Sequence, residues 1–243
     1  GTNHVLDIER KSVTNDAEFR ATFGKGVKAR FGINTVDWDQ SGARQNAEAK
    51  ADGLTLNRIE DMHFDPRNPN VMYFVTTEGG DTTPNPADPT TSRNGGGVWK
   101  LTFDDVSDPS EGGTLELLLD GSEAPYLSKP DNIGMDGAGN LLIQEDPGNN
   151  ALAARIVAYN TKTGQRGIVA QFDETLFRGP NAITQDEESS GIEFTAGYFG
   201  KNSWVFDAQV HKSSGDPETV ELGQLLTLNV RDWNAVYAAG WGL

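Results

Sequence analysis

The residues best suited to chemistry in this 243-residue chain are its acids. Glu60, Asp61, Asp131 and Asn132 each stand near the start of a short apolar segment, Glu145 and Asp146 close another, and Asp186-Glu187-Glu188 precedes a third. Carboxylates drawn from several segments to one place would supply the roughly six to eight oxygen ligands that calcium takes. Without a cation such a gathering costs stability through like-charge repulsion and desolvation, and a bound divalent ion removes that cost. The bulk charge agrees. Twenty Lys and Arg face 36 Asp and Glu, a formal charge of −16. A surface of that sign repels nucleic acid and anionic membranes and attracts divalent cations, although acidity also serves solubility alone.

Other chemistries find little support. There is no Cys, so thiolate-held zinc or iron–sulfur centres and disulfides are excluded. The three His residues, His4, His63 and His211, are too far apart for zinc spacing. No Gly-x-Ser-x-Gly elbow or phosphate-cradling Gly-rich loop is present, and Ser189-Ser190 has no general base beside it in sequence. No apolar run reaches the roughly 20 residues of a membrane helix. The chain opens on Gly1 without Met or a signal peptide, which reads as a processed or partial chain.

The elements that must position the acids fall into two stretches. Residues 1–57 read as an irregular segment with two short helices, one near Asn15 to Phe23 with Asn15 or Asp16 as N-cap, the other over Ala43 to Lys50 and stopped by Gly53. From residue 58 short alternating strands are separated by Gly, Asn, Asp and Pro turns, an all-β pattern. An internal repeat makes it more specific. Residues 58–65 (RIEDMHFD) resemble residues 129–136 (KPDNIGMD), an offset of 71. Each is followed by an apolar strand (Asn70 to Val75; Asn140 to Ile143), a third strand (Gly97 to Asp104; Arg155 to Asn160) and a fourth (Leu115 to Leu119; Ile168 to Phe172). A looser third copy has strands at Gly191 to Phe194, Trp204 to Gln209 and Gln224 to Val230, with Ala235 to Ala239 as its fourth. Four-stranded repeats of this size predict a β-propeller, with blades at 58–121, 129–175 and 180–243. This is a partial ring of three to four blades, with others preceding Gly1. The polar, Pro-rich stretch from Gly79 to Gly95 reads as an insertion between strands.

Structural roles compete at each acid. Asp65 and Asp136 precede turns and are expected to cap backbone N–H groups. Glu60 and Asp131 each follow a basic residue by two positions, which allows a salt bridge. Their recurrence at one repeat position favours function. Glu187 and Glu188 could be plain surface, and a lone His such as His211 is more often structural.

Several strings, QEDPGN at 144–149, DEESSG at 186–191, VWKLTFDD at 98–105, LLDG at 118–121, DAQVH at 207–211 and GQLL at 223–226, resemble the PhoX-like branch of bacterial alkaline phosphatases, over roughly residues 50–230. The resemblance implies an exported, secreted or periplasmic phosphomonoesterase whose calcium and iron cluster is held by carboxylates at one end of a propeller channel. It points to Glu60, Asp131, Glu145 and Glu188 as metal ligands, with Asn132, Asp146, Glu187 and His211 around them. The family's iron centre uses a Cys that this chain lacks, so calcium is the cofactor implied first and iron second. The expected partner is a phosphate ester or small anionic ligand held through the metal, with a protein partner as a further prospect. The alternatives are a non-catalytic, secreted calcium-binding propeller acting as an interaction module, and a lactonase-like propeller enzyme.

Overall fold

The first 57 residues carry more regular structure than expected. Strand β1 (Asn3–Ile8) pairs antiparallel with β2 (Ala29–Val36), with α1 (Asp16–Thr22) between them and α2 (Gly42–Asp52) after them. The two helices stand where the sequence placed them. Asn15 caps α1 by accepting from Glu18 N at 3.0 Å, and Gly53 follows α2. The strands are the correction to an irregular segment. In β2, Ala29 and Phe31 are buried and Arg30 is exposed, the alternation of a half-covered strand.

The computed structural model describes residues 2–79, 95–124, 126–148 and 152–241. The insertion at Gly79 to Gly95, apart from its end residues, and Asn149 lie outside them. The chain folds mostly into three antiparallel sheets. The first runs through β3 (Ile59–Phe64), β4 (Val71–Thr76), β5 (Gly97–Phe103) and β6 (Gly113–Asp120), each pairing with the next, and continues outward through β2 to β1. The second is β7 (Pro130–Met135), β8 (Asn140–Glu145), β9 (Arg155–Asn160) and β10 (Arg166–Gln171), again in chain order. After a turn of helix, α3 (Glu174–Phe177), comes the third: β11 (Glu187–Phe194), β12 (Ser203–Ser213) and β13 (Glu221–Asn229), with the short α4 (Ala196–Phe199) between its first two strands.

The repeat is visible in the backbone. Strands β3 and β7 begin 71 residues apart, and the residue before each, Arg58 and Lys129, takes a left-handed φ of 54° and 49°. Both strands then bulge, β3 between Ile59 and Met62, β7 between Pro130 and Asn132. A bulge re-aims the side chains it carries, and these bulges carry Glu60, Asp61 and Asp131. The first strands of the sheets pack on one another, β3 on β7 and β7 on β11. Gly134 allows the second of these contacts, since a Cβ there would stand 2.5 Å from the Ile192 carbonyl oxygen.

Apolar layers hold the sheets together. Val71, Tyr73, Val75 and Val98 of the first sheet meet Ile133, Met135, Leu141 and Val157 of the second. On the other face of the second sheet, Leu142, Ile156 and Ala158 meet Ile192, Trp204 and Phe206 of the third. On the far face of the first sheet, Ile8 of β1 and Phe31 of β2 pack together with Phe19 of α1 against Phe74, Trp99 and Leu115. The fourth strand expected at Ala235 to Ala239 is instead a helix, α5 (Trp233–Ala239). Asp232 caps it by accepting from Asn234 N and Ala235 N, and Trp233, Val236 and Tyr237 lie at helical spacing against the layer between the second and third sheets. Among the described residues no helix is long and apolar enough to cross a membrane.

Candidate metal centre

The three first strands pack side by side, and acids at their starts reach one another, Glu60 acting on Asp131 and Asp131 on Glu188. This cluster holds Glu60 on β3, Asp131 on β7 and Glu188 on β11. Asp146 follows β8, and His211 lies near the end of β12. Asp131 is half-buried, and its carboxyl is pushed up from 3.8 to about 6, first by burial and then by the charges of Glu60 and Asp146, with Arg58 opposing. Glu188 is pushed up from 4.5 to about 7 by burial, then by the charge of Asp146 and a hydrogen bond with it, and then by Asp131, with His211 opposing. These four acids therefore lie close enough to act on one another electrostatically.

The surrounding groups are tied more firmly. His211 Nδ1 lies 3.0 Å from Glu221 and Nε2 lies 3.6 Å from Glu188. The Glu221 contact outweighs burial and raises the imidazole above its ordinary value. Asn132 Oδ1 accepts from Gly191 N at 3.0 Å and from the Ser190 hydroxyl, so it joins β7 to β11. Gln144 lies fully buried on the same seam, accepting from Ile192 N at 3.0 Å and donating to the Ser190 carbonyl at 3.2 Å. Arg58, more than half exposed, reaches Glu60 at 3.3 Å and Glu78 at 3.6 Å.

Two of the acids singled out in the sequence do not face this cluster. Glu145 is fully buried and held by Arg155, whose Nε and Nη2 donate to its two oxygens at 2.8 and 2.5 Å, while Ser128 N donates at 2.8 Å. Glu187 is gripped in the same way by Arg178 at 2.7 and 2.9 Å, with Ala154 N at 3.1 Å. Successive strand residues point to opposite faces, so their neighbours Asp146 and Glu188 meet across the cluster instead. Asp61 is also engaged, accepting from Ile133 N at 3.0 Å and from Met62 N at 2.7 Å. The geometry thus brings Asp146, rather than its neighbour Glu145, toward Asp131 and Glu188, and it adds Arg58 beside Glu60 and Gln144 on the seam to the residues singled out in the sequence. Arg58 could have been found from the repeat, which places Lys129 at the equivalent position.

Among the described residues, no three His, Asp or Glu side chains are gathered closely enough to hold a metal ion as they stand. The donor chemistry nonetheless suits a hard cation. The set is all oxygen, with two carboxyls pushed up first by burial and then by neighbouring carboxylates, and a divalent ion would offset that repulsion.

The family model for alkaline phosphatase PhoX matches residues 26–199, and the chain belongs to that family. The match takes in β2 through α4, and with them Glu60, Asp131, Asp146 and Glu188, while His211 lies beyond it. It thus starts and ends earlier than the resemblance read from the strings. Members of the family are generally exported, metal-dependent phosphatases. No curated protein matches the chain.

Proposed function

We propose that the protein is a calcium-dependent phosphomonoesterase whose cation site is formed by Glu60, Asp131, Asp146 and Glu188. The observation that carries this reading is the mutual electrostatic strain of acids arriving from three sheets, expressed in Asp131 and Glu188. Family membership supplies the reaction class. Calcium bound there would neutralise charge on a phosphate ester and orient it. Arg58 is placed to take phosphate oxygens, since its guanidinium is exposed beside Glu60 and planar donors suit that geometry. His211, fixed by Glu221, holds Glu188 from behind. Glu145 is left out of the ligand set because Arg155 occupies both of its oxygens.

The three sheets are read as successive propeller blades. Support comes from the repeat, the chain-ordered four-stranded pairing in the first two sheets, and the packing of β3, β7 and β11 on one another. In this reading the acids lie at the mouth of the channel lined by the first strands. Export is part of this reading, supported by a family whose members are generally exported. Iron remains a lesser prospect, because the chain has no Cys.

A second reading is a non-catalytic propeller that uses calcium to settle its fold. It is favoured by the absence of a closely gathered ligand trio among the described residues. Hydrolysis of an aryl phosphate, measured with and without chelator, separates the two. Turnover lost on chelation and restored by calcium supports the phosphatase, whereas calcium binding without any turnover supports the second reading. Metal analysis of the purified protein reports the type and stoichiometry of the ion.

A further inference from the structure

The acids at the cluster end occur as neighbouring pairs with a shared division of labour. In Glu145-Asp146 and Glu187-Glu188 the first member is fully buried and clamped by a guanidinium, while the second meets the cluster. In Glu60-Asp61 the order is reversed. Asp61 is anchored to Ile133 N, and Glu60 is exposed toward Asp131.

The two guanidinium clamps reach beyond their carboxylates. Arg178 also donates to the Leu152 carbonyl at 2.9 Å and the Phe177 carbonyl at 2.7 Å, tying β11 to the β8–β9 and β10–β11 connections. Arg155 also donates to the Tyr126 carbonyl at 2.8 Å, tying the end of β8 to the β6–β7 connection, and its guanidinium stacks over Trp241 at 5.0 Å. Burying such pairs returns little net stability, because desolvating both charges offsets their attraction. A two-point guanidinium–carboxylate contact does fix orientation. With Glu187 pinned to one side of β11, strand alternation sends Glu188 to the other.

We infer that Arg178 and Arg155 are positioning residues of the cation site, acting through Glu187 and Glu145 to set the aim of Glu188 and Asp146. This rests on the cation-site reading above and goes beyond it by assigning the buried partners that hold its ligands. Groups that orient ligands from behind typically control metal affinity by about 10–100-fold.

The test is calorimetric titration of the metal-free protein with calcium, alongside thermal unfolding without calcium. The first variant is the double change Arg178→Met with Glu187→Met, which removes both charges and leaves no buried ion unpaired. Melting close to wild type with calcium affinity weakened about tenfold or more is expected. Wild-type affinity in the folded double variant would overturn the inference. If that variant does not fold, Arg178→Lys carries the test. It keeps the charge and gives up the two-point grip, so a weakening of several-fold with melting nearly unchanged supports positioning, and unchanged affinity sinks it. Wild-type protein that takes up no calcium would remove the cation site itself, and the inference with it. That result differs from wild-type binding with indifferent variants, which removes the positioning role alone.

Discussion

The two ends of the sheets use acidic residues in opposite ways. At the turn end, Asp65 and Asp136 stand at equivalent repeat positions and are consumed by their surroundings. Asp136 Oδ1 accepts from the backbone N–H groups of Ala138, Gly139 and Asn140 at 2.8–2.9 Å, and Oδ2 accepts from Asn140 Nδ2 at 2.7 Å. Asp65 accepts from Arg67 N at 2.9 Å and is clasped by the Arg67 guanidinium. At the cluster end, Asp131 and Glu188 are half-buried, and beyond burial their main influences are other carboxylates. Burial alone therefore does not distinguish a structural acid from a functional one. The partners do: hydrogen-bond donors around Asp65 and Asp136, like charges around Asp131 and Glu188. Substitutions at these two pairs should accordingly have opposite signs.

The largest effect is expected at the turn end. Asp136→Ala strips partners from the buried N–H groups of Gly139 and Asn140, the part-buried one of Ala138 and the Asn140 amide, and should lower unfolding free energy by roughly 3 kcal/mol. Urea titration measures it, and the loss should be the same with and without calcium. A loss that vanishes in calcium would break the comparison, because it would make Asp136 part of the cation site.

At the cluster end Glu188→Gln should do the reverse. It removes a charge that the folded protein disfavours, so the metal-free protein should gain roughly 2 kcal/mol. The stabilisation that calcium is expected to give wild type should shrink sharply. The pH dependence carries the same sign. Folded Asp131 and Glu188 keep their protons to about 6 and 7, whereas the unfolded chain releases them near 3.8 and 4.5. Between those limits the folded state binds more protons, so the stability of metal-free protein falls as pH rises from about 4 to 7. Melting temperatures across that range should show the fall, and saturating calcium should flatten it. A metal-free stability that climbs toward pH 7 would contradict the charge arrangement.

How far these contrasts were legible in the sequence depends on what each signal encodes. The 71-residue repeat was readable because Arg58 and Lys129 enter their strands with the same unusual backbone turn, and acids follow at the same bulge. The turn roles of Asp65 and Asp136 were readable because Asx capping is local. Helix α5 was readable in principle, since Asp232 is a cap and Trp233, Val236 and Tyr237 keep helical spacing. The expectation of a fourth strand overrode that pattern. Strand β1 has no such local signature, because its place is set by pairing with β2 and, through β2, with β6. The choice between Glu145 and Asp146 was not readable at all. It depends on Arg155, which lies on the neighbouring strand and occupies Glu145 only once β8 and β9 pair.

The smallest effect tests a place where the turn end is partly open. Arg67 lies at the surface, clasps Asp65, and reaches across to Thr161 Oγ1 at 3.1 Å on the second sheet. Burial pushes the Asp65 carboxyl up, but the Arg67 hydrogen bonds and charge outweigh it and hold it below its ordinary 3.8. A depressed carboxyl contributes stability that is present above its ordinary value and lost as pH falls through the folded one. Arg67→Met should thus cost about 1 kcal/mol near neutral pH, less in high salt, and the cost should fade in acid. This acid arm slopes opposite to the one set by Asp131 and Glu188. Metal-free wild type should therefore be most stable in mildly acidic solution, and calcium should move that maximum toward neutrality. If Arg67→Met shifts the neutral side of the profile instead of the acid side, the two ends are electrostatically coupled, and the division drawn between them fails.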